Sequence, residues 1–309
     1  IFKMENFQGE SNIAIGHHAQ TNISTGIQNI SLGNQSLFSS QDATYQTVIG
    51  HGSVRNIAHS LHTLAIGFNS IGGSESSTSY TVENVIAIGD NAMELSEPDS
   101  DNKVYSIIAI GKESGYRQKG KHNVLAGNRS GYSLRGDYNT AIGEDALYIG
   151  ATNTAVNEST AVGYNSMRNV LTNTTNNTAV GVAAMQTIGD STNTQDISNN
   201  TAVGHNALFH VNGSNNNAIG VMSLAACQGD SNVSIGVYAN RFNKGDFNTS
   251  VGNYSLGSAS ANNQSRTYNI GIGYNAGFDN QGNNNVFIGG ESNCTIGNGV
   301  FSNSVALGH

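Results

Sequence analysis

The side chains best suited to recognition chemistry in this chain are tyrosines and neighbouring basic residues. Tyr80 and Tyr105 fall in two long stretches that interrupt a regular pattern. Tyr116, Arg117, Lys119, Lys121, Tyr132, Arg135 and Tyr138 follow on consecutive 16-residue steps. Tyrosine and arginine offer flat apolar area with polar tips, which suits a sugar or a protein receptor. The same tyrosines would equally serve to line corners and cover a thin core. The candidate receptor-binding set is therefore Tyr80, Tyr105, Tyr116, Arg117, Tyr132, Arg135 and Tyr138.

Other chemistry is weaker. Asp90, Glu94, Glu97, Asp99 and Asp101 cluster in one stretch, but without the alternating acid-and-glycine spacing of a calcium loop they read as a solvated segment. Glycoside hydrolysis needs two carboxylates facing each other roughly 5–9 Å apart. Asp137 with Glu144 or Asp145 could supply such a pair, yet nothing singles it out. His17, His51, His205 and His309 follow a recurring glycine but not on adjacent repeats, so a three-histidine metal site is not indicated. Gly271-Ile-Gly273 lacks the strand–loop–helix setting of a dinucleotide loop. Cys227 and Cys294 are too few and too far apart for a disulfide framework. The expectation is a non-enzyme with no cofactor and no metal.

Composition narrows the setting. The 309 residues include 38 glycines, 44 asparagines, one proline and no tryptophan. Only 11% are charged and the net charge is −8, which excludes an electrostatic nucleic-acid binder. No apolar run approaches the roughly 18 residues of a membrane span, so membrane insertion is not expected.

The elements that must position these residues come from one repeat. A small residue, an aliphatic residue and glycine recur with glycine at 16, 33, 50, 67, 89, 111, 127, 143, 163, 181, 204, 220, 236, 252, 273, 289 and 308. In residue terms the column is Gly16, Gly33, Gly50, Gly67, Gly89, Gly111, Gly127, Gly143, Gly163, Gly181, Gly204, Gly220, Gly236, Gly252, Gly273, Gly289 and Gly308. No spacing falls below 16 residues, and every departure is an insertion, as in a solenoid that admits loops at its corners. With the glycine as position 0, an aliphatic residue occupies −1 and a β-branched or aliphatic residue usually occupies −3. Asparagine is frequent at −4, and +3 is Ala or Ser wherever the chain extends that far.

This pattern predicts an all-β parallel solenoid of about 17 coils, stacked at about 4.8 Å into a rod of roughly 80 Å. The −3 and −1 side chains are expected to form an inward apolar face, and a second strand is expected to begin near +3. Asparagines at −4 would either bond one another up the stack or simply mark turns. The small residues would leave a neutral surface that a single chain exposes, so parallel association of chains is inferred, most simply as a trimer. Insertions at about 71–84, 94–106, 148–158, 186–198 and 257–268 would emerge as loops and build the binding face.

The segments Asn139-Thr-Ala-Ile-Gly143, Ser159-Thr-Ala-Val-Gly-Tyr-Asn-Ser-Met167 and Asn200-Thr-Ala-Val-Gly-His-Asn-Ala-Leu208 resemble two related repeats. One belongs to the heads of YadA-type trimeric autotransporter adhesins. The other is the "NTAVGYNAL" repeat of bacteriophage tail fibres and tail spikes. The resemblance runs from about Asn12 to the end and implies a homotrimeric, left-handed parallel β-roll that attaches to a bacterial cell-surface receptor, glycan or protein. Interrupted repeats of 16 residues or more look more like the phage type, which implies a virion tail fibre; a bacterial-surface autotransporter head is the alternative, and a polysaccharide-degrading tailspike the second. The whole of 1–309 reads as a single repeat domain with a lead-in at 1–11, and is expected to be part of a longer fibre chain.

Overall fold

The computed structural model describes residues 9–38, 40–73, 80–98, 102–150, 154–189, 195–259, 265–293 and 301–308. Asp99, Asp101, Cys294 and His309, together with parts of the predicted insertions, lie outside them. Every regular element among the described residues is a β-strand, none is a helix, and none could therefore be a membrane-crossing helix. The chain divides into two compact units, Ile1–Glu158 and Ser159–His309. Each is a parallel β-solenoid.

In both units the three residues before the repeat glycine form a short strand. In the first unit Ile13–Ile15 pairs with Ile30–Leu32, which pairs with Thr47–Ile49, and so on to Thr140–Ile142. In the second, Thr160–Val162 pairs with Thr178–Val180, and the ladder continues to Val305–Leu307. All pairings along this ladder are parallel and in register, so like positions stack upon like. The glycines form the predicted column within each unit. Those from Gly16 to Gly289 each have φ between 114° and 139°, a region closed to residues with a Cβ. An added Cβ would overlap the carbonyl of the glycine in the next coil.

The orientation of the strands overturns one expectation. The residue at −2 points inward: Ala141, Ala161, Ala179, Ala202 and Ala218 are fully buried. The aliphatic residues at −3 and −1 point outward. Ile110, Ile142, Ile219, Ile235 and Ile288 are each 41–45% exposed. The reason is width. Behind the strand the chain returns immediately through +3 and +4, so the interior holds one small residue from −2, one small residue from +3 and one larger side chain from +4. Ala207 and Ser223 at +3, and Leu208 and Leu224 at +4, are fully buried. The small positions are thus the inside of each chain, and its unpartnered surface is the aliphatic face.

Volume is conserved within this thin core. Where +4 is Gly131, the −2 position of the same coil carries Leu125, whose Cδ2 lies 2.6 Å from where a Cβ on Gly131 would sit. Gly277 and Phe287 show the same exchange on neighbouring coils. Close packing requires such compensation, since a void or an overlap of one methylene already costs stability.

The second strand does not begin at +3. Residues 0 to +4 form a turn in which +2 and +4 adopt left-handed φ, as at Asn206 (55°) and Leu208 (46°). This curled segment still bonds the next coil: Leu208 N–H donates to Ser223 O at 3.0 Å. In the second unit the second ladder begins at +6, through Asn169–Val170, Thr187–Ile188, His210–Val211 and Ala226–Cys227. In the first unit it runs before the main strand, through Asp42–Thr44, His59–Leu61 and the first halves of Thr81–Ile88 and Lys103–Ile110.

The asparagines at −4 form a ladder. Asn232 N–H and Nδ2 both donate to Asn216 Oδ1 at 3.0 Å, and its Nδ2 also reaches Gly245 O at 3.0 Å. Its own Oδ1 accepts from Asn248 N–H and Nδ2 at 3.0 and 2.9 Å. All of these groups are buried. Asn232→Ala leaves several of them without partners at once, so it is expected to cost about 3 kcal/mol, the sum of two or three orphaned groups. Urea denaturation of the purified variant measures this directly; a loss below 1 kcal/mol would show that the rungs relax around the gap.

Cys227 lies in the same interior, where burial pushes its thiol up to about 12. It is held as an unreactive thiol.

Candidate functional site

The tyrosine-rich surface belongs to the first unit, and its geometry follows from the coil register. Tyr116, Tyr132 and Tyr148 each occupy position +5 of successive coils. Because coils stack at about 4.8 Å, their rings stack as well: centroids lie 4.9 Å apart for Tyr116–Tyr132 and 4.8 Å for Tyr132–Tyr148, with interplanar angles of 18° and 16°. The Arg117 guanidinium sits 5.7 Å from the Tyr116 centroid, and that of Arg129 5.6 Å from Tyr148. Arg129 is held there by buried Asp145, its Nε to carboxylate distance being 2.8 Å.

The stack changes what these rings offer. The two inner faces of each contact are spent on one another. What remains outward is a row of ring edges and phenol oxygens beside cationic groups. Burial, then the neighbouring Tyr116 and Tyr148, raise the pKa of the Tyr132 phenol, so it remains a hydrogen-bond donor at neutral pH. The arrangement therefore presents donors and positive charge to hydrogen-bonding and anionic groups laid along it.

A second aromatic column lies at the other end of the coil. His122 stacks on Tyr138 at 4.8 Å and 11°, and meets Tyr105 edge-on at 5.1 Å. The Lys121 ammonium lies 5.1 Å from the Tyr105 centroid. Beside it an open depression is lined by Glu83, Asn84, Lys103, Tyr105 and Ser106. Left-handed φ at Asn84 and Ser106 turns the chain at this point and sets the depression's edge. Lys103 and Glu83 face each other across the ladder at 3.9 Å.

The predicted residues therefore separate into groups. Tyr116, Arg117 and Tyr132 share the first column, and Tyr105 and Tyr138 share the second. Arg135 faces Glu97 at 3.7 Å, beside Lys119, which reaches the same carboxylate at 3.9 Å. Tyr80 is removed from the set. It is 1% exposed, with its hydroxyl donating to Ser96 O at 3.3 Å, because the coil widens there and needs a large side chain to fill it. Burial raises its phenol pKa well above the usual range.

Three contributors escaped the sequence reading: Tyr148, Arg129 and His122. Tyr148 follows Tyr132 by 16 residues, and that interval was the available signal. The acidic stretch resolves into ion pairs: Glu94 meets Arg55 at 3.1 Å, and Glu97 is engaged as above. Among the described residues no group of three His, Cys, Asp or Glu is placed to hold a metal ion. Asp137 accepts the Lys121 N–H at 2.9 Å and Asp145 holds Arg129.

No family model, no curated protein and no solved structure matches this chain.

Proposed function

We propose that this chain is an attachment segment of a fibre, non-catalytic and homotrimeric, in which three left-handed rolls meet through their outer aliphatic faces. The tyrosine and basic columns of the first unit then contact a bacterial cell-surface receptor, a glycan or a protein, in the manner of a phage tail fibre. One observation carries the reading: each single chain leaves a row of Ile, Val and Leu at −1 partly in water, flanked at −3 by Ile, Val and Leu in some coils and by Thr in others. Soluble monomers rarely expose contiguous apolar area on that scale, whereas assembly surfaces do. In-register stacking keeps the row continuous within each unit, so identical copies can meet along it. Threefold repetition of the receptor surface supports attachment by avidity, without a strong single site.

The test is binding of fluorescently labelled protein to a panel of bacterial strains. Tyr132→Ala together with Arg117→Ala is expected to reduce binding to the recognised strain at least about tenfold, through loss of two central contacts, with the assembly mass unchanged. Full binding by that variant would remove the tyrosine surface from the site. Release of reducing sugar from capsule or lipopolysaccharide by the parent protein would overturn the non-catalytic reading.

A further inference from the structure

The column at +5 has empty rungs, and they are not equivalent. In the first unit it reads Thr21, Phe38, Arg55, Gly72, Glu94, Tyr116, Tyr132 and Tyr148; in the second it includes Arg241, Gly257 and Phe278. Backbone bonds fix the register. Ser133 N–H donates to Tyr116 O at 2.7 Å and Ile149 N–H to Tyr132 O at 2.9 Å; in the same way Asp279 N–H donates to Gly257 O at 2.9 Å.

Glycine puts no side chain between the rungs on either side, whose backbones lie about 9.6 Å apart, though at Gly257 the Phe278 ring leans in, its Cδ2 3.4 Å from where a Cβ would stand. At Gly72 the gap is closed: Arg55 Nη2 and Glu94 Oε1 meet across it at 3.1 Å. At Gly257 the flanking rungs are Arg241 and Phe278, which have no ion pair to form. A small cavity of about 120 Å³ remains, lined by Tyr238, Arg241, Tyr254, Ser258, Ala259 and Phe278.

The lining is specific. Tyr238 and Tyr254 stack at 5.3 Å and 19° to form one wall. The Arg241 guanidinium is fixed against the rings of Tyr238 and Phe242, at 5.0 and 4.2 Å. Its Nε is buried and has no acceptor among the described residues, and no carboxylate among them pairs with it. The Asp279 carboxylate at the cavity's edge accepts the Ala259 N–H at 2.9 Å through Oδ1, and its charge acts on Arg266. A cation held beside aromatic faces, with no carboxylate partner among the described residues, suits a guest that brings an acceptor oxygen and a flat apolar surface together.

We propose that the vacant rung at Gly257 binds one pyranose ring bearing a carboxylate, a uronate-type sugar. The C–H face of the ring lies on Phe278 and the carboxylate meets Arg241. The cavity, about 120 Å³, is smaller than the roughly 150 Å³ that takes a whole benzene ring, so one edge of a pyranose enters it and the rest of the ring stays in solvent. The inference deepens the attachment reading and rests on it only for where such a sugar would come from.

The test is calorimetric titration of the whole protein with methyl glucuronide and, separately, methyl glucoside. The glucuronide is expected to bind at least about tenfold more tightly, since only it engages the guanidinium as a charge-assisted acceptor. Arg241→Gln should remove that preference, and Arg241→Lys should recover only part of it because the planar fork is lost. Thermal melting of both variants separates lost binding from lost folding. No detectable glucuronide binding, equal affinity for the two sugars, or undiminished preference in Arg241→Gln would each overturn the proposal. Strain binding by the parent protein is scored independently, so a failed sugar site leaves the attachment reading standing, and sugar binding without strain binding does the reverse.

Discussion

Gly220→Ala is expected to destabilise the second unit by about 4 kcal/mol or more, a large fraction of the total for any domain. Two effects combine. Gly220 has φ of 129°, where an L-residue is strained by itself. Its new Cβ would also sit 2.5 Å from the carbonyl oxygen of Gly236 and 2.7 Å from its carbonyl carbon. Both are backbone atoms held by ladder bonds on either side, and a side-chain rotation cannot relieve the overlap. Each coil rests on its neighbours alone, so a breach at one level removes the support of both adjacent levels. The control is Gly150→Ala, where nothing lies within 4 Å of the added Cβ; it should change stability by no more than about 0.5 kcal/mol. Urea denaturation followed by circular dichroism compares the two. A loss within 1 kcal/mol at Gly220 would mean that adjacent coils shift apart freely, against the close-packed column.

The second large effect concerns assembly. Ile235 and Ile272 are 41% and 40% exposed in the single chain, both at position −1. Replacing them with glutamate should barely disturb one chain, since neither side chain is in its core. If three copies cover that face, six carboxylates enter an apolar interface with no partners, at a cost of several kcal/mol each. Ile235→Glu with Ile272→Glu is therefore expected to abolish association while the β-type circular dichroism of the chain persists. Gln228→Glu, exposed at position +8 away from the aliphatic face, should leave association intact. A double glutamate variant of unchanged mass would place the contact elsewhere.

The legible part of the fold was the part set by local backbone chemistry. A 16-residue interval, a glycine whose neighbours allow no Cβ, Ala or Ser at +3 and asparagine at −4 each follow from a rung repeated in register, and each is visible along the chain. The direction of the strand was not. Alternation shows that −2 differs from −3 and −1, but not which set faces inward. The habit of placing Ile and Val inside selects the wrong face here, because the coil is too thin to hold them. Ala207 at +3, a position that is always Ala or Ser, and the mostly small −2 residues such as Ala141, were the better marker of the interior. The same limit applies at the site. Tyr116 and Tyr132 were found from their type and spacing, while the stack that consumes their faces required the register of Tyr148. Tyr80 looked like its neighbours in sequence, but an eight-residue strand beside it, Thr81–Ile88, widens the coil and draws it inside.

The assembly of this aliphatic face against further copies of the chain is tested most directly by sedimentation equilibrium of the purified protein. Three times the chain mass of 32.3 kDa, about 97 kDa, is the predicted result. A single species of 32.3 kDa at micromolar concentration would contradict it, because the row of exposed Ile and Val would then stand uncovered in water.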